Sequence, residues 1–206
     1  MKRKNQYYKN MRFEIARLVD TNFGEQTKFL TLTFKEAVED IDYANYEFNK
    51  FIKRLNYDLY KTKKAQLKYI ATWELQKRGA IHYHLILFDF PYIPFKRLES
   101  IWGHGYIKIN KIDVDSIENR GRYISKYFDK DLEIKNHKKK AFFKSQNLIS
   151  PTLIKKLSNS PYNINNRKVI YSSDYIVRRP IFHHGDTNER ELDFIEVPVH
   201  YTKIKK

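Results

Sequence analysis

The tripeptide His82-Tyr83-His84 is the part of this 206-residue sequence best equipped for chemistry. It lies inside a β-rich run, Ile81 to Phe88, and the two-residue period of a strand puts both imidazoles on one face with Tyr83 on the other. A preceding run, Lys68 to Leu75, carries Glu74 and reads as the partner strand of a hairpin around Gln76-Lys77-Arg78-Gly79-Ala80. Directly opposed residues of an antiparallel pair share a face, so Glu74 meets His82 or His84 only if the connecting loop has three or five residues. A two-residue loop at Arg78-Gly79 shifts the pairing by one and turns Glu74 away from them. Gly79 suits the longer loop, for instance a type I turn with a glycine bulge. Two imidazoles and one carboxylate would hold a divalent ion and leave coordination positions open, as a catalytic site needs. The sequence has no Cys, which removes disulfides, thiolate metal sites and a Cys nucleophile together. The other histidines, His104, His137, His183, His184 and His200, are read as structural or surface residues.

A second group lies downstream. Between Ile117 and Asp131, Ile117, Gly121, Ile124 and Phe128 form an apolar helical stripe, and Arg120, Tyr123, Tyr127 and Lys130 form another beside it. Two phenols thus share a helix face with two cations. A phenol of reference pKa about 10 must lose its proton to attack, and neighbouring positive charge favours the phenolate.

The elements that must position these residues follow from periodicity. Met11, Ile15, Leu18 and Val19 predict a short N-terminal helix, and Lys28 to Phe34 predicts a strand. Phe48, Phe51, Ile52, Leu55 and Leu59 predict an amphipathic helix over about residues 43 to 61, with Asp40 or Asp42 as its cap. Pro94 opens a short helix that Gly103 ends, and Tyr106 to Ile109 returns as a strand. The order helix, strand, helix, strand, strand, helix, strand, helix indicates an α+β fold, an antiparallel sheet carrying helices on one side. Beyond a boundary placed near residue 135, strands are legible at Val169-Ile170-Tyr171 and Phe194 to Val197.

Charge sets the class of partner. With 40 Lys+Arg against 24 Asp+Glu the net charge is +16, which points to a polyanion, and 41% hydrophobic residues mark a globular core rather than a basic disordered tail. Residues 1–12 hold five cations and no acid, and residues 135–170 hold nine and no acid, so nearly all of the excess is local. In the second stretch Phe142, Phe143, Leu148 and Ile149 interleave with Lys138, Lys139, Lys140 and Lys144, a pattern suited to gripping phosphates and stacking bases. No run is apolar enough to span a bilayer and the basic N-terminus does not lead into a signal core, so the expected location is the cytoplasm, with no membrane partner.

His-hydrophobe-His on a strand, a Glu eight residues earlier and a Tyr-x-x-Lys helix downstream resemble the HUH endonuclease superfamily, specifically the rolling-circle replication initiators of phages, plasmids and small DNA viruses. The likeness covers roughly residues 27 to 131. Phe29-Leu30-Thr31-Leu32-Thr33 looks like the first family motif, a structural strand, and Glu74, His82 and His84 look like the metal motif, with Tyr83 where many members have an aliphatic residue. The tyrosine motif occurs twice in overlap, as Tyr123-Ile124-Ser125-Lys126 and Tyr127-Phe128-Asp129-Lys130. That doubling is similar to two-tyrosine phage initiators, whereas Ile124 to Asp131 is also similar to the single-tyrosine motif of geminiviral replication proteins, which favours Tyr127. Trp102-Gly103-His104-Gly105-Tyr106 and Phe143 to Leu148 resemble further segments of phage initiators.

The resemblance implies a five-stranded antiparallel sheet of ferredoxin or RNA-recognition type. It implies a metal-dependent, sequence-specific single-stranded DNA nickase and ligase acting at a replication origin, with host helicase and polymerase as partners. Tyr127 or Tyr123 would attack the scissile phosphate, giving a 5′-phosphotyrosine and a free 3′-hydroxyl; Lys130 and Lys126 would assist; Glu74, His82 and His84 would hold Mn²⁺ or Mg²⁺, with imidazole ligands favouring Mn²⁺. No Walker A pattern is present, so no nucleotide cofactor is expected. The corresponding domain reading is an endonuclease domain over 1–135 and a basic extension over 136–206, with Arg120, Lys138, Lys139, Lys140 and Lys144 contacting DNA. The alternatives are a transposase or relaxase of the same chemistry, or a non-catalytic RNA-recognition-like module.

Overall fold

A computed structural model describes residues 2–76, 78–112, 142–152, 159–160, 163, 167–184 and 190–204. The elements run α1 (Lys2–Asn22), β1 (Lys28–Thr33), α2 (Ile41–Tyr60), β2 (Lys68–Leu75), β3 (Ile81–Phe88), α3 (Phe95–Trp102), β4 (Ile107–Lys111), β5 (Phe143–Lys144), β6 (Val169–His184) and β7 (Arg190–Ile204). The expected α+β class with a five-stranded antiparallel sheet is what forms, in the order β4-β1-β3-β2-β5.

Strand β3 is central, and its alternation builds a core on each face of the sheet. Tyr83, Leu85 and Leu87 join Leu30, Leu32, Ala71 and Trp73 against Phe48, Phe51 and Leu55 of α2 and Leu98 and Trp102 of α3. Ile86 and Phe88, with Ile70, face Met11, Ile15, Leu18 and Val19 of α1. Helices therefore cover both faces, not the single face that element order suggests, because the apolar stripe of α1 is matched by apolar residues at the outer half of the second face. The basic N-terminal run is the first half of α1 rather than a tail.

Helix α2 starts where Asp40 accepts hydrogen bonds from the Asp42 and Tyr43 amides at 2.9 and 3.3 Å, and ends at Lys61 in the left-handed region. Its buried Asn56 ties down the following loop. The amide nitrogen donates to Thr62 O and Lys64 O at 3.0 Å each, and the amide oxygen accepts from the Gln66 and Leu67 amides at 2.8 and 2.9 Å. Asn56→Ala strands these backbone groups in a part-buried loop and is expected to cost on the order of 2–4 kcal/mol, measured by urea unfolding.

Segment 142–150 is the clearest departure from the sequence reading. Phe142 and Leu148, partly buried, pack against the α1 cluster and Phe143 against the α2 cluster, so these three are engaged with the core rather than free to stack bases, while Ile149 is exposed. Strand β5 adds to β2 with Ala71 opposite Phe143, and the side chain of Asn22 bonds both Ile149 O and Ile149 N at 2.9 Å. The physical reason is that the segment caps an otherwise open sheet edge, and its apolar residues fill both sides of that edge. The chain divides into compact units of Met1–Leu153 and Ile154–Lys206, and the boundary expected near residue 135 lies outside the described residues. In the second unit β6 and β7 form a long antiparallel hairpin whose cross-strand pairs include Arg178–Glu196 at 3.1 Å. Among the described residues no helix is long and apolar enough to cross a membrane.

Candidate metal centre

The five-residue loop, the longer of the two odd lengths compatible with a shared face, sets the register. Leu75 pairs with Ile81, and Glu74 therefore stands directly opposite His82. The loop closes through Gln76 N to Ala80 O and Gly79 N to Gln76 O, with Gly79 at φ 82°. A side chain at Gly79 would displace only the flexible end of Glu39, so it is the left-handed φ that calls for glycine there.

The three side chains converge. Glu74 Oε1 lies 2.6 Å from His82 Nε2 and 3.1 Å from His84 Nε2, and the ligating atoms all fall within 4.8 Å of one another. The imidazole rings are 4.6 Å apart and steeply inclined to one another at 70°, so both Nε2 atoms reach the same carboxylate oxygen. An ion with bonds of about 2.1 Å holds its ligands roughly 3 Å apart, and the two carboxylate–imidazole distances of 2.6 and 3.1 Å lie near that spacing. Burial alone would raise the Glu74 pKa, but hydrogen bonds from His82 and His84 outweigh it and hold the carboxylate well below its ordinary range. The ionised carboxylate supplies the negative charge that a cation site needs.

The sheet supplies the outer contacts that orient the rings. His84 Nδ1 is 3.2 Å from the Thr31 hydroxyl, and Phe29 stacks on its ring at 5.5 Å between centroids. His82 Nδ1 is 3.3 Å from Gln76 Nε2. Sequence reasoning gives neither Thr31 nor Gln76 a part in the site. The signal was present, since Thr31 shares its face through pairing with β3 and Gln76 follows Glu74 at the two-residue period. Tyr83 anchors the strand from behind: its ring stacks on Phe48 at 4.5 Å and its hydroxyl donates to Asn45 Oδ1 at 2.8 Å. Burial pushes the Tyr83 phenol far above its ordinary pKa, so it stays protonated and structural.

The remaining sequence candidates separate cleanly. Tyr123, Tyr127, Lys126, Lys130, Arg120, Lys138, Lys139 and Lys140 lie outside the described residues, as does His137. Lys144 is described, and its ammonium pairs with Glu14 of α1 at 2.8 Å. His104 is structural, bonding the buried Glu47 at 2.9 Å, and His200 is held by Asp174 at 2.6 Å on the β6–β7 hairpin. The Trp102 to Tyr106 segment is also structural: Trp102 donates to Thr33 O at 3.1 Å, and a side chain on Gly105 would sit 2.6 Å from the same oxygen.

An antiparallel sheet that presents two imidazoles and a carboxylate from adjacent central strands defines an α+β protein with a site able to hold a divalent metal. The profile of the replication-associated protein ORF2 family matches residues 27–132, just over half of the chain, and the chain belongs to that family. The phasyl DNA replicon protein arp of Escherichia coli is 29% identical over 147 residues, covering 59% of this chain and 49% of the relative. The chain thus spans about half the length of that curated relative. No solved structure matches it.

Proposed function

We propose that this chain is a replication initiator that nicks and rejoins single-stranded DNA by tyrosine transesterification. The observation that carries the reading is the convergence of Glu74, His82 and His84 on one point of the sheet, in a chain of the replication-associated family. Membership supports action at a replicon, and so does the name of the E. coli relative, a DNA replicon protein.

The three side chains would hold Mn²⁺ or Mg²⁺, which supplies Lewis acidity toward a scissile phosphate. The chain's own groups do the rest. The phenol oxygen of Tyr127, or of Tyr123, attacks phosphorus; the P–O3′ bond breaks; the departing 3′ oxygen takes up a proton as the phenol loses one. The products are a 5′-phosphotyrosine and a free 3′-hydroxyl, which a polymerase extends. Lys130 and Lys126 position the phosphate and favour the phenolate. Because the phosphotyrosine keeps the ester bond, attack by a 3′-hydroxyl reverses the step and joins ends, and a second tyrosine lets cleavage and joining alternate. The test is incubation with labelled origin oligonucleotide and Mn²⁺ followed by a denaturing gel; a protein-linked product supports the reading, and cleavage without any linked product overturns it.

DNA affinity is assigned to the basic stretch. Lys144 is occupied by Glu14, which leaves Lys138, Lys139 and Lys140 as the better candidates for phosphate contacts. Replacing those three by Ala is expected to lower the salt slope of single-strand binding by about 2, at about 0.7 per phosphate contact. Anisotropy titrations across a salt series measure this. Deleting the whole stretch is the poorer experiment, because it removes β5 from the sheet.

A further inference from the structure

We propose that Gln76 is a positioning residue whose side-chain amide selects the tautomer of His82, and that Arg78 sets which way that amide faces. The proposal deepens the metal reading above and rests on it. Gln76 lies beside His82 at the start of the hairpin loop, with its amide nitrogen 3.3 Å from His82 Nδ1. Its amide oxygen accepts from Arg78 Nε at 2.9 Å. Arg78 is itself fixed, donating to Phe34 O at 2.8 Å and Lys35 O at 3.4 Å. A guanidinium only donates, so the amide oxygen belongs on the Arg78 side and the NH₂ group on the imidazole side.

That orientation has a chemical consequence. An NH₂ facing Nδ1 requires Nδ1 to accept, which puts the ring proton on Nε2, where it is donated to Glu74 Oε1 at 2.6 Å. An Nε2 that carries a proton has no lone pair for a cation. For His82 to ligate through Nε2 the proton must sit on Nδ1, and Nδ1–H needs an acceptor. Gln76 provides one by turning its amide through half a rotation, which puts its oxygen on the ring and breaks its bond to Arg78. His84 faces no such choice, because the Thr31 hydroxyl at 3.2 Å both donates and accepts. Arg78 therefore holds the metal-free arrangement, and metal loading is coupled to a turn of the Gln76 amide that breaks its bond to Arg78.

Two substitutions and one control test this by Mn²⁺ calorimetry on the full chain. Gln76→Glu offers a permanent acceptor to Nδ1–H, and Arg78→Met frees the amide to turn; each is expected to tighten Mn²⁺ binding by about 10-fold, the lower end of the effect of partners behind a ligand. Lys35→Gln removes a positive charge from the residue whose backbone carbonyl accepts from Arg78, without touching the amide, and is expected to bind Mn²⁺ as the unsubstituted chain does. Long-range ¹H–¹⁵N spectra add a readout independent of charge. Metal-free His82 is expected as the Nε2–H form in the unsubstituted chain and as increasingly Nδ1–H in Arg78→Met. The proposal is overturned if His82 is already Nδ1–H without metal, or if both substitutions bind Mn²⁺ no more tightly than Lys35→Gln. Failure of the unsubstituted chain to bind Mn²⁺ at all overturns the metal reading and this proposal with it, whereas equal binding by every variant overturns this proposal alone.

Discussion

The double substitution Tyr123→Phe and Tyr127→Phe is expected to abolish the covalent protein–DNA product entirely. Phenylalanine keeps the ring and loses the oxygen that must become the ester, so nothing at either position can be linked to phosphorus. Loss of a nucleophile costs on the order of 10⁴-fold or more in rate, which takes a linked product below detection on a denaturing gel. The single substitutions divide the role. Tyr127→Phe is expected to have the larger effect on first cleavage, since Tyr127 carries the fuller match to the single-tyrosine motif, while Tyr123→Phe should retain cleavage and impair repeated cycles of nicking and joining. A protein-linked band surviving in the double variant would sink the mechanism, and mapping the linked residue would say where to look instead.

Glu74→Gln is expected to be nearly as damaging by a different route. The substitution preserves size and leaves one oxygen to accept from an imidazole, so the sheet should stay folded. It removes the only negative charge among the three converging ligands. Loss of a partner behind a metal ligand already costs about 10- to 100-fold in affinity, and loss of a charged ligand itself should reach or exceed about 100-fold. Calorimetry with Mn²⁺ measures the loss, and far-ultraviolet circular dichroism checks the fold. DNA cleavage should fall in parallel and recover partly at high Mn²⁺. The same variant discriminates against a non-catalytic RNA-recognition-like module, for which Glu74→Gln would be harmless to function. Acidification is a related expectation. The hydrogen bonds from His82 and His84 hold Glu74 well below the ordinary carboxylate range, so lowering the pH through that range is expected to leave the carboxylate ionised, which calorimetry with Mn²⁺ across a pH series checks.

Much of this site is legible in the sequence because its elements are local. The alternation of Ile81 to Phe88 fixes which residues of β3 share a face, and the 3.6-residue stripe of Phe48, Phe51 and Leu55 fixes the buried side of α2; both depend on backbone periods that hold wherever those elements form. Strand bounds of 68–75 and 81–88 match the sequence expectation, since β-branched and aromatic residues fill them and Gly79 interrupts them. The Phe142 to Ile149 segment misleads for the opposite reason. Aromatics interleaved with lysines serve equally as a strand at a sheet edge or as a base-stacking surface, and only a partner strand with an open edge chooses between them.

Three properties follow from the order of residues without any fold: two imidazoles on one face of one strand, no thiol chemistry, and basic charge concentrated in two stretches. Whether Glu74 joins those imidazoles depends on the loop between the strands, because odd and even loop lengths place it on opposite faces. The packed fold resolves it: the five-residue turn, fitted around Glu39 at Gly79, puts Glu74 opposite His82. The same holds for the ring contacts. Thr31 comes from a strand 53 positions away in the chain from His84, and Gln76 is aimed by an arginine whose own anchors are carbonyls just beyond the end of β1. A strand's period specifies direction for each side chain, but the distance between side chains on different strands is set only when register and packing bring the strands together.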